Sequence, residues 1–76
     1  MTKHDFKDGN GPVPAHRHPN GGGWVADTAR VADTAFVGPN AVVFGDARVY
    51  DNSQVFGNAK VCGNAKVYGN AKVYGD

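Results

Sequence analysis

Through most of the chain a Val falls at every sixth residue, at positions 25, 31, 37, 43, 49, 55, 61, 67 and 73, without one slip of register. Four residues after each of the first eight comes a small side chain: Ala29, Ala35, Ala41, Ala47, Ala59, Ala65, Ala71 and, once, Ser53. A period of six fits neither one face of an α-helix nor a long alternating strand. Each unit divides instead into a short strand and a corner. In Ala65-Lys66-Val67-Tyr68, alternate side chains point to opposite sides, so Ala65 and Val67 share one side while Lys66 and Tyr68 share the other. Gly69-Asn70 follows and suits a bend, because Gly tolerates unusual backbone angles and Asn enters the left-handed region at low cost. Pro39-Asn40, Gly45-Asp46, Asp51-Asn52, Gly57-Asn58 and Gly63-Asn64 repeat this chemistry in phase. A bend after every short strand, with the Val/Ala set always inside, predicts an all-β chain wound as a parallel β-helix.

The repeat region, residues 24–76, covers about two thirds of the chain. It resembles the hexapeptide-repeat superfamily. The Val-Tyr-Gly-Asn-Ala-Lys unit at 67–72 is especially similar to short members from bacteria and their bacteriophages. The resemblance implies a left-handed helix of triangular section with three six-residue units per 18-residue coil, about three coils in this chain. The hand comes from the resemblance alone, since crossover connections ordinarily prefer the right-handed sense. The family hosts enzymes and non-enzymes, so it carries fold further than function.

Unrolled at 18 residues per coil, the chain presents three faces. The first, 23–26, 41–44 and 59–62, turns Trp24, Ala26, Val42, Phe44, Lys60 and Cys62 outward. The second, 29–32, 47–50 and 65–68, turns out Arg30, Ala32, Arg48, Tyr50, Lys66 and Tyr68, a basic and aromatic stripe. The third, 35–38, 53–56 and 71–74, turns out Phe36, Gly38, Gln54, Phe56, Lys72 and Tyr74. A contiguous apolar patch marks a contact, so the first face is expected under residues 1–23 or against another subunit. Hexapeptide-repeat proteins are typically homotrimers. Trp24, Val42, Phe44 and Cys62, with Phe36 and Phe56, are therefore the candidate interface residues. The strand Ala71-Lys72-Val73-Tyr74 is expected to leave backbone groups unpaired, an edge for end-to-end stacking.

Residues 1–23 have no hydrophobic period and are dense in Gly, Pro, Asn and His. They read either as a flexible leader or as a cap over the first strand, anchored by Phe6, Val13 and Trp24. An uncovered edge invites unwanted pairing, which favours the cap.

Composition narrows the picture further. Seventy-six residues without Leu, Ile or Glu make one small domain whose core must be Val and Ala. A formal charge of +1 makes no case for a nucleic-acid or membrane partner. Cys62, the one cysteine, cannot form an internal disulfide. No apolar run is long enough for a signal peptide or a membrane span. The expected location is cytoplasmic, or the virion for a bacteriophage product.

Candidate chemistry is sparse. His16 and His18 form His-x-His with His4 upstream; in an extended segment the first two point the same way, as zinc ligands must. Arg17 and Pro19 fit a polar turn equally well. The superfamily includes zinc-dependent carbonic anhydrases and coenzyme A-dependent acyltransferases, whose histidines project from the coils or from an extruded loop. Here the repeats hold no His and no unit is interrupted, so a general base would have to come from the leader. Ser53 is expected to point inward, and Cys62 outward with no base beside it to activate it. No catalytic residue and no cofactor are expected. The aromatic pairs Tyr50/Tyr68 and Phe56/Tyr74, beside Arg48, Lys66 and Lys72, suit either strand reinforcement or a polysaccharide. The sequence therefore points to a non-catalytic, self-assembling scaffold. Its alternatives are an acyltransferase-like or metal-using enzyme with leader histidines in the site, and a carbohydrate-binding fibre module.

Overall fold

A computed structural model of the chain describes residues 3–6, 9 and 11–75. These residues form eleven strands and no helix: β1 (Lys3–Asp5), β2 (Pro12–Arg17), β3 (Trp24–Ala26), β4 (Arg30–Val31), β5 (Phe36–Val37), β6 (Val42–Val43), β7 (Arg48–Val49), β8 (Gln54–Gly57), β9 (Lys60–Val61), β10 (Lys66–Val67) and β11 (Lys72–Gly75). They are arranged in three sheets, of order β1-β2-β3-β6-β9, β10-β7-β4 and β11-β8-β5. Every pairing among β3 to β11 is parallel and joins residues 18 apart: Trp24 with Val42 and Val42 with Lys60, Arg30 with Arg48 and Arg48 with Lys66, Phe36 with Gln54 and Gln54 with Lys72. The chain thus visits the three sheets in turn, one six-residue unit each, before it meets itself again.

Short strands alternate their side chains, so the Val of each unit and the small residue four positions on both face inward. Val25, Val37, Val43, Val49 and Val55 are fully buried, with Ala35, Ala41 and Ala47 packed among them. Ser53 takes an Ala place without cost to the interior, because its hydroxyl donates to the Tyr50 carbonyl at 2.7 Å.

The corners divide by backbone: the first three avoid positive φ, and from Gly45 (φ 71°) onward the first central residue takes it. Those beginning at Tyr50, Phe56, Cys62 and Tyr68 close with weak backbone bonds of 3.3–3.4 Å across four residues. Their first central residue, Asp51, Gly57, Gly63 or Gly69, has φ between 61° and 68°, as type II′ turns require. The earlier corners at Asp27-Thr28, Asp33-Thr34 and Pro39-Asn40 avoid positive φ. Left-handed backbone therefore falls on the Gly of each Gly-Asn pair, and not on the Asn that the sequence reading also admitted. In the early corners the threonines work across the stack: Thr28 Oγ1 donates to the Gly45 carbonyl and Thr34 Oγ1 to the Asp51 carbonyl, each at 2.6 Å.

Asp51 is the one non-glycine residue with positive φ among those described. Its carboxylate accepts the Gly69 amide at 3.0 Å, a bond to the corner 18 residues on that offsets the left-handed cost. Asp51→Ala keeps that cost of roughly 1–2 kcal/mol and loses the bond. Asp51→Gly loses the bond and relieves the backbone. Urea unfolding should show the Ala variant less stable by about 2 kcal/mol and the Gly variant within about 1 kcal/mol of the parent. Equal stability of the two would remove the backbone argument.

The N-terminal segment is built differently. β1 and β2 form an antiparallel hairpin, and β2 runs antiparallel along β3, pairing Ala15 with Ala26, His16 with Val25 and Arg17 with Trp24. Residues 18–23 then cross to the third sheet. There the Gly23 amide donates to Val37 O and the Val37 amide to Asn20 O, both at 3.0 Å. Gly21 and Gly23 lie so close to the backbone at Val37 and Gly38 that a Cβ on either would collide with it. The run of three glycines is thus a close approach of two backbones as well as a turn. The outer edges of β3 and β5 are both covered.

Candidate functional site

The apolar first face, expected under residues 1–23 or against another subunit, is occupied by the chain's own N-terminal hairpin. Phe6 is buried and stacks on Phe44 with ring centroids 4.9 Å apart; Ala15 and Ala26 complete the cluster, and Val13, Trp24 and Val42 pack around it. His4 stacks on Trp24 at 4.5 Å, and the Arg17 guanidinium lies 4.7 Å from the same ring centre. For Phe44, Trp24 and Val42 the covering surface is intrachain, because antiparallel pairing of β2 with β3 carries Phe6 and Val13 over them. The other interface candidates lie elsewhere. Cys62 is exposed beyond β9, while Phe36 and Phe56 are half-buried on the third sheet, where Phe56 stacks on Tyr74 at 5.1 Å. The six residues do not form one surface.

The three histidines separate. His16 lies on the exposed side of β2 with Nδ1 2.8 Å from Asp27 Oδ1. His18 is buried, its Nε2 2.8 Å from the Ala35 carbonyl oxygen, while His4 is on Trp24. The expectation that His16 and His18 point the same way fails because the strand stops at Arg17. Beyond it His18 turns with the backbone, its amide bonded to Gly23 O and its carbonyl to the Gly22 amide. Among the described residues no three His, Cys, Asp or Glu side chains gather where they would hold a metal ion. His18 instead satisfies a carbonyl at the covered end of the third sheet.

Two surfaces remain as candidate sites. One is the outer edge of β9, β10 and β11, each of which is last in its sheet. Ala71, Lys72, Val73 and Tyr74 lie here. Ala65 and Ala71, which by phase belong to the interior, are exposed, and Val73 is only half-buried. The other is a groove on the second sheet lined by Thr28, Arg30, Asp46, Arg48, Asn64 and Lys66, with half-buried Tyr50 and exposed Tyr68 beyond.

Sequence reasoning placed the groove's cations and tyrosines on one face. It did not find the hairpin strands. The signal was there in the turn-rich Gly9-Asn10-Gly11-Pro12 stretch between two short segments, the mark of a hairpin with a longer loop. No family model, curated protein or solved structure matches the chain.

Proposed function

We propose that the chain is a non-catalytic structural unit, a left-handed parallel β-helix of about three 18-residue coils that assembles with itself. Parallel pairing at an 18-residue offset in all three sheets supports the winding. The left hand rests on the resemblance of the repeat to hexapeptide-repeat proteins. Assembly rests on one observation: the two ends of the stack are unlike. At one end β2 and residues 18–23 cover β3 and β5; at the other, β9, β10 and β11 leave interior-phase Ala65, Ala71 and Val73 open. Open backbone edges and open apolar interior attract further strands.

Because the opposite end is covered, a head-to-tail ladder is blocked on two of three sheets. Among the described residues β9, β10 and β11 have no further strand partner, and in the assembly we propose a second copy meets them edge to edge, a closed pair related by a two-fold axis. Histidines already held by Asp27, Ala35 and Trp24 favour this reading over one that places them in an active site.

Sedimentation velocity over a wide concentration range tests it. A species of two chains is expected. Val73→Lys, which puts a charge into the open interior position, should return it to a single chain with its β-sheet spectrum intact. A three-chain mass would move the contact to a face of the prism, and a monomer at all concentrations would overturn the proposal.

A further inference from the structure

The second sheet carries a cation on every strand of one outward column. Arg30, Arg48 and Lys66 are direct register partners on β4, β7 and β10, and all three are exposed. The corresponding columns of the other sheets, Trp24-Val42-Lys60 and Phe36-Gln54-Lys72, hold one cation each. Paired side chains on neighbouring strands lie about 5 Å apart, and like charges directly opposite one another are destabilising. Among the described residues the one ion pair is His16 with Asp27, so none of the three cations is neutralised by a salt bridge. One carboxylate, Asp46, shares their groove. A column that costs the fold stability and leaves its charge unmatched is complementary to an anion of the same repeat.

The flanks identify the kind of anion. On one side stand Thr28, Asp46 and Asn64 at the stacked corners, neutral and acidic hydrogen-bonding groups suited to hydroxyls. On the other, Tyr50 and Tyr68 directly follow β7 and β10. The Tyr50 amide still donates to the Val67 carbonyl at 2.7 Å, which carries the ladder and its alternation past the strand end, and Tyr68 is 64% exposed. Exposed aromatic rings offer an apolar platform with a polar tip, to which the C–H face of a pyranose is fitted.

We propose that this groove binds an acidic polysaccharide, a uronate chain lying across β4, β7 and β10. Linked sugar residues recur at a spacing close to the strand interval of about 4.8 Å, and the long, exposed side chains of Arg30, Arg48 and Lys66 reach carboxylates that turn to different sides along the chain. Its carboxylates pair with Arg30, Arg48 and Lys66, and its rings rest on Tyr50 and Tyr68. A nucleic acid fits less well, since its affinity is built on a broad basic field of many phosphate contacts and this chain has a net charge of +1. The proposal does not rest on self-assembly, because the column's side chains point outward from the sheet, although Lys66 stands on β10 at the open edge.

The test is calorimetric titration of the full chain with a short oligogalacturonate at low salt, beside its methyl-esterified form and a single-stranded DNA oligonucleotide. The acid is expected to bind, and to bind about tenfold more weakly when salt is raised fourfold. The methyl ester should not bind measurably. Arg48→Gln, at an exposed position that leaves the β-sheet spectrum unchanged, should weaken the acid about tenfold, and Tyr68→Ala should weaken it severalfold. No binding of the acid, equal binding of the ester, or an unchanged affinity in Arg48→Gln would each overturn the site. DNA binding as tight as the acid would overturn its sugar specificity.

Discussion

Val49→Asp is expected to leave the chain unfolded. Val49 is fully buried on the middle strand of the second sheet, in register with Val31 on one side and Val67 on the other. Around it the interior is Val and Ala. Arg48, the adjacent cation, faces the opposite side of the strand and is exposed. A carboxylate at position 49 would thus be desolvated with neither a countercharge nor a spare donor beside it. Such a group costs several kcal/mol even after the structure relaxes. A chain of 76 residues has a total stability of only about 4–11 kcal/mol. The loss exceeds or consumes that margin, and far-UV circular dichroism should show a disordered chain. Val49→Ala, which removes volume without adding charge, should remain folded and lose about 2 kcal/mol in urea unfolding. A Val49→Asp variant with native-like β signal would sink the inward placement of the Val column.

Phe44→Lys should act on a different unit, freeing the N-terminal hairpin while the repeats keep their pairing. Phe44 is 8% exposed, and its ring meets Phe6. Truncating a buried Phe costs about 3–5 kcal/mol, and Lys adds a charge under the cover. What then holds the hairpin is the β2–β3 ladder, the small Ala15–Ala26 contact and the outer contacts of His4 and Arg17 with Trp24 and of His16 with Asp27. A two-stranded hairpin is marginal alone in water. The Val/Ala interior shares no residue with the Phe6 cluster, so it has no reason to fail with it. Hydrogen exchange should show amides of β2 losing protection while those of β7 and β8 keep theirs, and trypsin should cut after Arg17 early. Phe44→Leu should hold the hairpin in place. Unchanged protection of β2 in Phe44→Lys would mean that Phe6 and Phe44 are not its anchor.

These two variants divide the molecule along the line between what the sequence states and what it leaves out. The period of six determines the repeat region almost completely. Once each unit contains one short strand and one corner, alternation puts Val and the following small residue inside. Three units per turn is what the resemblance to hexapeptide-repeat proteins implies, and the parallel pairing of residues 18 apart in three sheets agrees with it. Residues at a given phase share a side of the strand, so a local rule suffices for facing, although burial falls away in the last coil, where Ala65 and Ala71 are exposed. Even the cation column Arg30-Arg48-Lys66 could be read this way, because it is a set of residues at one phase.

The hairpin obeys no such rule. Phe6 over Phe44, His16 beside Asp27, His18 against the Ala35 carbonyl and Asn20 at Val37 join a segment without period to one with it, and each contact occurs once. Their partners are chosen by whichever edge and apolar patch the folded repeats leave uncovered, and that is known only when the repeats are assembled. The paired direction of His16 and His18 failed for the same reason: whether a two-residue spacing keeps two side chains together depends on where the strand stops. Here it stops at Arg17, where the chain must turn to cover β5. Strand and face were therefore determined by the sequence through repetition, while the 18-residue register came from the resemblance and is carried by the strand pairing. The cover over the first face, and with it which edge remains open, was decided by tertiary packing, because a backbone edge and a hydrophobic patch must be satisfied by whatever part of the chain can reach them.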